Sequence, residues 1–471
     1  MKKTKIVATI GPASSSKETL REMIKEGVNV CRINFSHGSY EDHADVITTV
    51  REINEELGLN VAVLADLQGP KIRIGEVENN GILLEDGDEI VITTEKCLGT
   101  KEKLYLSYET FPKDVAVGDL LLVDDGKFQL KVLSTDKKKE VKTVVLHGGI
   151  LSSKKGVNLP NTSISLPSLT KKDREDLEFA LDHDVDWVGL SFVRSARDII
   201  ELKSIISARK KHAKVVAKIE KPEAIWEIED IVLEADAMMV ARGDLGVEVP
   251  MEKVPNLQKM IIKQCLLHAK PTIVATQMME SMIKNFRPTR AEVNDVANAV
   301  MDGTDAVMLS GETSIGDHPV EVIKAMNKII EEVETNDIIY HQEEVPEKNQ
   351  ERFITDSVCF NAARLAQRVE ATGIITMTFS GYTAYKISSQ RPKANTFVFT
   401  ENRQILAQLN LVWGVEGFYY DKMVSTDHTI KDCKSILEKK GLVKKGDLVI
   451  NIASIPMEER GQSNMLKLSY V

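Results

Sequence analysis

Eight short apolar or β-branched runs recur through the first 340 residues, each joined to a stretch of helical spacing. They read TKIVATIG, NVCRINFS, NVAVLADLQG, DWVGLSF, KVVAKIE, DAMMVARGD, PTIVATQM and TDAVMLSGE. Apolar runs of this length, ending in charged or small residues, read as parallel strands buried on both faces. Eight strand–helix units in succession predict an α/β chain closed into a (β/α)8 TIM barrel. In that architecture chemistry belongs at the carboxyl ends of the strands, so the polar residues there become the candidates.

The rhythm is interrupted once. Between about Pro70 and Pro167 helical periodicity gives way to short alternating runs such as EIVITTE, LLLVDDG and KTVVLHG, separated by Gly-Asp and Asp-Gly turns. This predicts a small β-barrel lid at residues 70–167, inserted into a catalytic barrel formed by 1–69 and 168–340. Proline at both junctions fits stiff hinges; a passive insertion is the alternative. After the polar stretch HQEEVPEKNQE the composition resets, and residues 341–471 predict a C-terminal α/β domain with its own core. Its first strand leads into Thr378, Ser380, Gly381, Tyr382 and Thr383 just before a helix, where backbone N–H groups can receive a phosphate or simply be capped.

A formal net charge of −10 argues against a nucleic-acid surface. The five cysteines are scattered with no CxxC pair, which excludes a disulfide framework and fits a reducing cytoplasm. No run is long and apolar enough to cross a membrane.

Taken in order, the strand ends supply the site. The second carries Arg32, Asn34 and Ser36 on one face, with His37 beyond as a loop histidine rather than a base. The third supplies Asp66, followed by Lys71 and Arg73 at the hinge into the insert, two cations placed for phosphate. The fifth supplies Lys218 and Glu220, and the sixth Arg242, Gly243 and Asp244. The seventh and eighth bring Thr276, Gln277, Ser310 and Glu312. A lysine beside two carboxylates suits a divalent metal and an anionic substrate. A structural ion-pair cluster, Lys218 to Glu220 and Arg242 to Asp244, is the plainer reading of the same residues. There is no GxxxxGK[ST], GxGxxG after a strand, HExxH or GxSxG, so P-loop, dinucleotide, zincin and common hydrolase sites lose support. Carboxylate-held metal flanked by Lys and Arg is what phosphoryl transfer needs.

The segments KIVATIGPAS, RINFSHG, ADLQGPKIR, KKGVNLP, AKIE, MVARGDLGVE, ATQMMESM, RPTRAEVNDVANAVMDGTDAVMLSGET and LVWGV together resemble pyruvate kinase over essentially the full chain. The resemblance implies transfer of phosphate from phosphoenolpyruvate to ADP, giving pyruvate and ATP at the end of glycolysis. It implies that Glu220 and Asp244 hold Mg2+ or Mn2+, and that Lys218 faces the transferring phosphoryl group and the developing enolate. The backbone at Arg242, Gly243 and Asp244, with Thr276, would hold the substrate carboxylate, and Arg32 and Arg73 would face phosphate oxygens. Pro12, Asn34 and His37 lie where the family places nucleotide, with Lys155 reaching from the lid. Thr276, Ser310 and water remain alternatives for protonating the enolate.

One departure stands out within the resemblance. Potassium-dependent members read DTKGPEIR, whereas here Leu67, Gln68 and Lys71 replace the Thr, Lys and Glu, and Ile74 replaces a Thr. The ammonium of Lys71 would supply the charge of the monovalent cation, whose ligands would otherwise resemble Asn34, Ser36 and Asp66; the chain is then expected to need no K+. The resemblance further implies a homotetramer and a phosphorylated allosteric effector at the loop TFSGYT. Tyr382, standing where some relatives carry a cation, argues against fructose bisphosphate as that effector. A barrel lyase or aldolase acting on a pyruvate enolate, and a non-catalytic metabolite sensor, are the competing readings.

Overall fold

The computed structural model describes residues 2–160, 162, 164–340, 345–348, 351–422, 425–455 and 462–471. Of the polar linker expected at 341–351, residues 341–344 and 349–350 lie outside that description.

The eight runs form β1 (Lys5–Thr9), β2 (Val30–Asn34), β3 (Ala62–Asp66), β4 (Trp187–Leu190), β5 (Lys214–Ile219), β6 (Ala237–Ala241), β7 (Thr272–Ala275) and β8 (Ala306–Leu309). All neighbours are parallel and the ring closes through β1 and β8, with the strands in chain order around it. The side-chain period of two then sorts each strand. Val30, Leu64, Val216, Met239 and Ile273 fill the barrel lumen, while Cys31, Val63, Ala65, Ala217 and Val240 face the helices. Continuing the inward parity by two residues brings Thr9, Arg32, Asp66 and Lys218 to the carboxyl end of the lumen. The parity that builds the core therefore also aims the chemistry.

Helix starts are set locally. Ser16, Ser39, Thr170 and Thr289 each accept a backbone N–H in the first turn of the helix that follows, and the last three form reciprocal capping boxes. Gly189 in β4 is required by packing, because a Cβ there would come within 2.9 Å of Asp66 Oδ1.

The insert has one core of its own, running from Ile72 to Leu159. Its strands form a curled six-stranded sheet and a two-stranded ribbon of Ile82–Leu84 with Gly149–Leu151. One pairing in it, Glu89–Thr93 with Lys103–Tyr105, is parallel. The C-terminal domain is a five-stranded sheet, four strands parallel and the terminal Met465–Tyr470 antiparallel. It packs on the amino-terminal face of the barrel. Lys5 Nζ donates to Val415 O (2.8 Å), and the fully buried Arg391 pairs with Asp305 (3.0 Å). Among the described residues no helix is long and apolar enough to cross a membrane.

Candidate active site

At the mouth of the lumen, Asp66 is the hub. Its Oδ2 accepts from Arg32 Nε (2.7 Å), and Lys218 Nζ stands 3.2 Å from its Oδ1. Arg32 also donates to Thr9 Oγ1 (2.8 Å), which in turn donates to Leu309 O (2.9 Å). Lys218 Nζ lies 3.0 Å from Glu220 Oε1 and donates to Ser191 Oγ at 2.7 Å. Ser191, held by its own bond to Leu67 O (2.7 Å), fixes the ammonium from a third side. Arg32, Asp66, Lys218 and Glu220 are all at least nine-tenths buried.

Burial of this kind penalises each charge, and the neighbours decide the outcome. Burial pulls the Lys218 ammonium down, but Asp66 and Glu220 together outweigh it and hold the pKa above the usual lysine range. Burial pushes Asp66 up, and Lys218 and Arg32 more than reverse it, leaving a carboxylate below its ordinary value. Glu220 goes the other way: burial raises it, Lys218 opposes, and the nearby Asp244 charge raises it again. Lys218 therefore stays cationic at neutral pH, while Glu220 is left with burial and a neighbouring carboxylate that Lys218 does not fully offset.

The carboxylates fit a hard divalent cation. Glu220 Oε2 is oriented by the Phe192 N–H at 2.7 Å, and Asp244 makes no hydrogen bond or ion pair among the described residues. Those residues contain no cage of three or more acidic, histidine or cysteine side chains. Two carboxylates completed by substrate oxygens and water is the coordination Mg2+ prefers.

Asp244 does not pair with Arg242, as the ion-pair alternative required. Residues Arg242–Glu248 form a helix immediately after β6, and the Arg242 guanidinium turns away into a bidentate pair with Asp295, both bonds 2.7 Å. It also donates to Thr276 O (2.7 Å). Arg242 is thus a positioning group, and the free side chain of the triplet is that of Asp244. Thr276 sits at φ 69 and Gln277 at φ 55. A β-branched residue held in the left-handed region is strained, and such strain collects at functional sites. Here Gly243 N–H donates to Thr276 Oγ1 at 2.7 Å, and Thr276 Oγ1 donates to Ala275 O at 2.6 Å. At the end of β8, Glu312 accepts from Ser310 N (2.7 Å) and Met279 N (3.1 Å), fixing the loop that carries Ser310.

The remaining candidates are more dispersed. Asn34 Oδ1 accepts from Ser36 N (3.1 Å), so Ser36 lies past the strand end instead of on its face. Pro12 and His37 are exposed beside this turn region. Asp66, expected among monovalent-cation ligands, is committed to Arg32 and Lys218, and Leu67 points into the core between barrel and helices. Arg73 Nη1 donates to Lys154 O (3.1 Å) and Lys155 pairs with Asp124 (3.0 Å), both within the lid. Lys71 is exposed and lines, with Pro70, Asp125, Arg194, Asp244 and Glu248, a cleft of about 60 Å3 between lid and barrel.

In the C-terminal loop, Gly381 (φ 84) caps the helix Tyr382–Ser389. Its N–H donates to Thr378 Oγ1 (3.0 Å), and Tyr382 N–H donates to Ser380 Oγ (3.4 Å), so two of the N–H groups expected for phosphate are engaged within the loop. Thr383 Oγ1 meets Ser463 Oγ at 3.1 Å.

Sequence reasoning missed Ser191, Thr9 and Asp295, which hold the reactive groups. Ser191 and Thr9 sit at strand ends and carried a readable signal. Asp295 lies within a helix and carried none.

The family model for the pyruvate kinase barrel domain matches residues 1–323, and that for the pyruvate kinase alpha/beta domain matches 356–469. A pyruvate kinase of Geobacillus stearothermophilus is 43% identical over all of this chain and 80% of its own length. One from Staphylococcus aureus is 42% identical, again over all of this chain and 81% of the relative. A crystal structure of a pyruvate kinase from Cryptosporidium parvum superposes with a TM-score of 0.93 at 34% identity, covering 100% of this chain and 96% of that one. With the barrel, the inserted lid and the strand-end cluster all in place, the chain belongs to the pyruvate kinase family.

Proposed function

We propose that the protein transfers the phosphoryl group of phosphoenolpyruvate to ADP. The bond between phosphorus and the enol oxygen breaks as a terminal oxygen of ADP bonds to phosphorus; the enolate then takes a proton at its methylene carbon to give pyruvate. The observation that carries this reading is the buried Lys218, held cationic by Asp66 and Glu220 and aimed by Ser191. A fixed charge in a low-dielectric site stabilises the developing enolate and phosphoryl oxygens without reorganisation. Arg32 and Arg73 supply further charge for phosphate oxygens. The Gly243 amide and the Thr276 hydroxyl, bonded to each other in the free protein, exchange these bonds for the substrate carboxylate, while Arg242 holds the Thr276 carbonyl. A divalent cation, Mg2+ or Mn2+, held by Glu220 and Asp244 supplies charge neutralisation when bound.

Lys71 is supported as the built-in replacement for K+ by its place in the cleft beside Asp244 and by the absence, among the described residues, of any carboxylate paired to it. Pro12, Asn34, His37, Arg73 and Lys155 make up the nucleotide side. The protein works as a cytoplasmic homotetramer, with a phosphorylated effector acting through Thr378–Thr383.

The test is the initial rate of pyruvate formation from phosphoenolpyruvate, ADP and Mg2+, with Na+ or K+ as the only monovalent cation. Equal rates are expected. Strong K+ stimulation would remove the role given to Lys71, and no turnover in either salt would overturn the kinase reading.

A further inference from the structure

The chain crosses between barrel and lid twice, and both crossings are held by the same carboxylate. Asp173, in the first turn of the helix Lys171–Asp182, is fully buried. Its Oδ1 accepts the N–H of Gly69, 104 residues away, at 2.9 Å, just before Pro70 opens the lid. Its Oδ2 accepts the Thr170 N–H (2.9 Å) and the Thr170 hydroxyl (2.5 Å), where the chain has just returned. No cation pairs with it among the described residues, so these short bonds to N–H and O–H donors hold the charge. Helix capping alone does not require such an arrangement. Asp42, the corresponding acid of the Ser39 capping box, is exposed and serves only its own cap.

On each crossing a barrel-held residue lies within a few positions of a lid-held one. Gly69 is held by Asp173, and Ile72 O already accepts the Val157 N–H of the lid (3.0 Å). Between them Lys71 N–H donates to Gly69 O (2.8 Å), a tight turn about Pro70. On the return, Ser165 Oγ and N–H donate to Asp114 of the lid (2.8 and 3.1 Å), whereas Ser168 Oγ accepts from Arg194 of the barrel (3.3 Å). The pivots therefore lie at residues 70–71 and 166–167, and Asp173 stands on the barrel side of both.

The anchored loop also bears on the chemistry. Gly69 sits at φ 71 with its backbone against the turn after β4, where a Cβ would come within 2.7 Å of the Phe192 ring and 2.9 Å of Ser191 Cβ. Ser191 Oγ donates to Leu67 O and accepts from Lys218 Nζ, both at 2.7 Å. Phe192, itself at φ 54, directs its N–H at Glu220 Oε2. Residues 67–69 thus form the wall against which the groups that aim Lys218 and Glu220 rest. The near end of this wall is bonded to β4 through Leu67 N–H and Gly189 O (3.0 Å), and its far end to Asp173.

We propose that Asp173 is a positioning residue for the phosphoryl transfer. One oxygen fixes the outgoing lid crossing at Gly69 and the other the returning crossing at Thr170, so the lid turns about a common base. The same carboxylate keeps Gly69 seated on the Ser191–Phe192 turn and so keeps Lys218 and Glu220 aimed. A shift of about 1 Å in such a support, remote from the reacting atoms, can cost about 10²-fold in rate. The kinetic consequence rests on the kinase reading; the anchoring of the two crossings does not.

The test sets three variants of the full chain against each other. Asp173→Ala removes both anchors and is expected to lower kcat by about tenfold or more, with a smaller change in KM for phosphoenolpyruvate. Asp173→Asn should recover most of that loss, because its NH2 can donate to the Thr170 hydroxyl and leave its oxygen on the Gly69 N–H. Thr170→Val removes the capping hydroxyl but leaves the Gly69 bond; it should lower the melting temperature while kcat stays at the wild-type level. Amide hydrogen exchange gives an arm independent of turnover. Peptides over 67–72 and 164–170 should both exchange faster in Asp173→Ala, and only the second in Thr170→Val. If Asp173→Ala does not fold, Asp173→Ser, whose hydroxyl is too short to serve both crossings, carries the same expectation. A kcat loss in Thr170→Val equal to that in Asp173→Ala would reduce the residue to a helix cap, and a loss confined to KM would break the link to Lys218. Either result overturns the proposal, as does unchanged exchange over 67–72. Absence of turnover in the wild type would instead strike the kinase reading, and exchange would then decide alone whether Asp173 anchors the lid.

Discussion

Lys218 shows how a residue's chemistry is set by three neighbours of different kinds. Asp66 and Glu220 keep it charged, Ser191 aims it, and burial makes its field effective. Lys218→Met is expected to lower kcat by about 10²–10³-fold, with a much smaller change in KM, since the charge is needed mainly as negative charge develops. Steady-state kinetics check this; an effect confined to KM would show that the ammonium only binds substrate. Thr276 makes a different point. Its hydroxyl joins the Gly243 amide to the Ala275 carbonyl while its backbone is strained. Thr276→Ser keeps the hydroxyl and should retain most activity, whereas Thr276→Val should lose it, as read from kcat/KM. Loss in Thr276→Ser with activity kept in Thr276→Val would move the role from the hydroxyl to the methyl group.

At the scale of elements, the contact between lid and barrel is concentrated in a few bonds. Glu248 Oε1, at the end of the helix after β6, accepts from lid Asn158 (2.8 Å) and from buried Lys221 (2.7 Å), while its Oε2 is buried and unpaired. Arg194 adds a bond to Ile164 O at 2.6 Å. A hydrogen bond to a charged group contributes roughly 1.5–3 kcal/mol, enough to bias a hinged domain. Asn158→Ala is expected to raise amide exchange across the lid and to raise KM for the substrates, leaving the melting temperature almost unchanged. Glu248→Gln is expected to do more, because it leaves Lys221 charged and buried with a neutral partner. Unaltered exchange in Asn158→Ala would show that other contacts hold the lid.

For the whole molecule, the junction of barrel and C-terminal domain sets a pH dependence. Lys3 and Lys5 are buried there, and their pKa values are lowered to about 8, burial being the largest cause, with Glu334 raising the first and Glu416 the second. A folded value below the unfolded one means that the unfolded chain binds more protons in between. Stability from these lysines is therefore present above about 10.5 and is lost as pH falls toward 8. Buried Cys31 and Cys265 act oppositely: burial raises them from 9.0 to about 12, so their contribution is full below 9 and lost as pH rises toward 12. The unfolding midpoint should rise from about pH 8 to 9, change little between 9 and 10.5 where the lysines and cysteines oppose each other, and fall above 10.5, with Lys5→Met flattening the rising limb; thermal scans across buffers check both limbs. A midpoint falling steadily from pH 7 would show that the junction lysines are not the controlling groups.

The repeated strand–helix pattern determined the barrel, because burial on both faces leaves a buried parallel strand one reading, and eight such strands close. The period of two carried that result into the site: once Val30, Leu64 and Val216 face the lumen, Arg32, Asp66 and Lys218 must follow. Composition and turn residues likewise marked the lid and the C-terminal domain. Partnerships were another matter. That Arg242 turns to Asp295 and not to Asp244, that Ser191 holds Lys218, and that Asp66 is held between two cations all depend on residues 27 to 152 positions apart, for which sequence spacing has no rule. Local pattern is decided by periodicity and backbone sterics, which act over a few residues; pairing is decided by the three-dimensional approach of distant charges, which only the tertiary fold supplies.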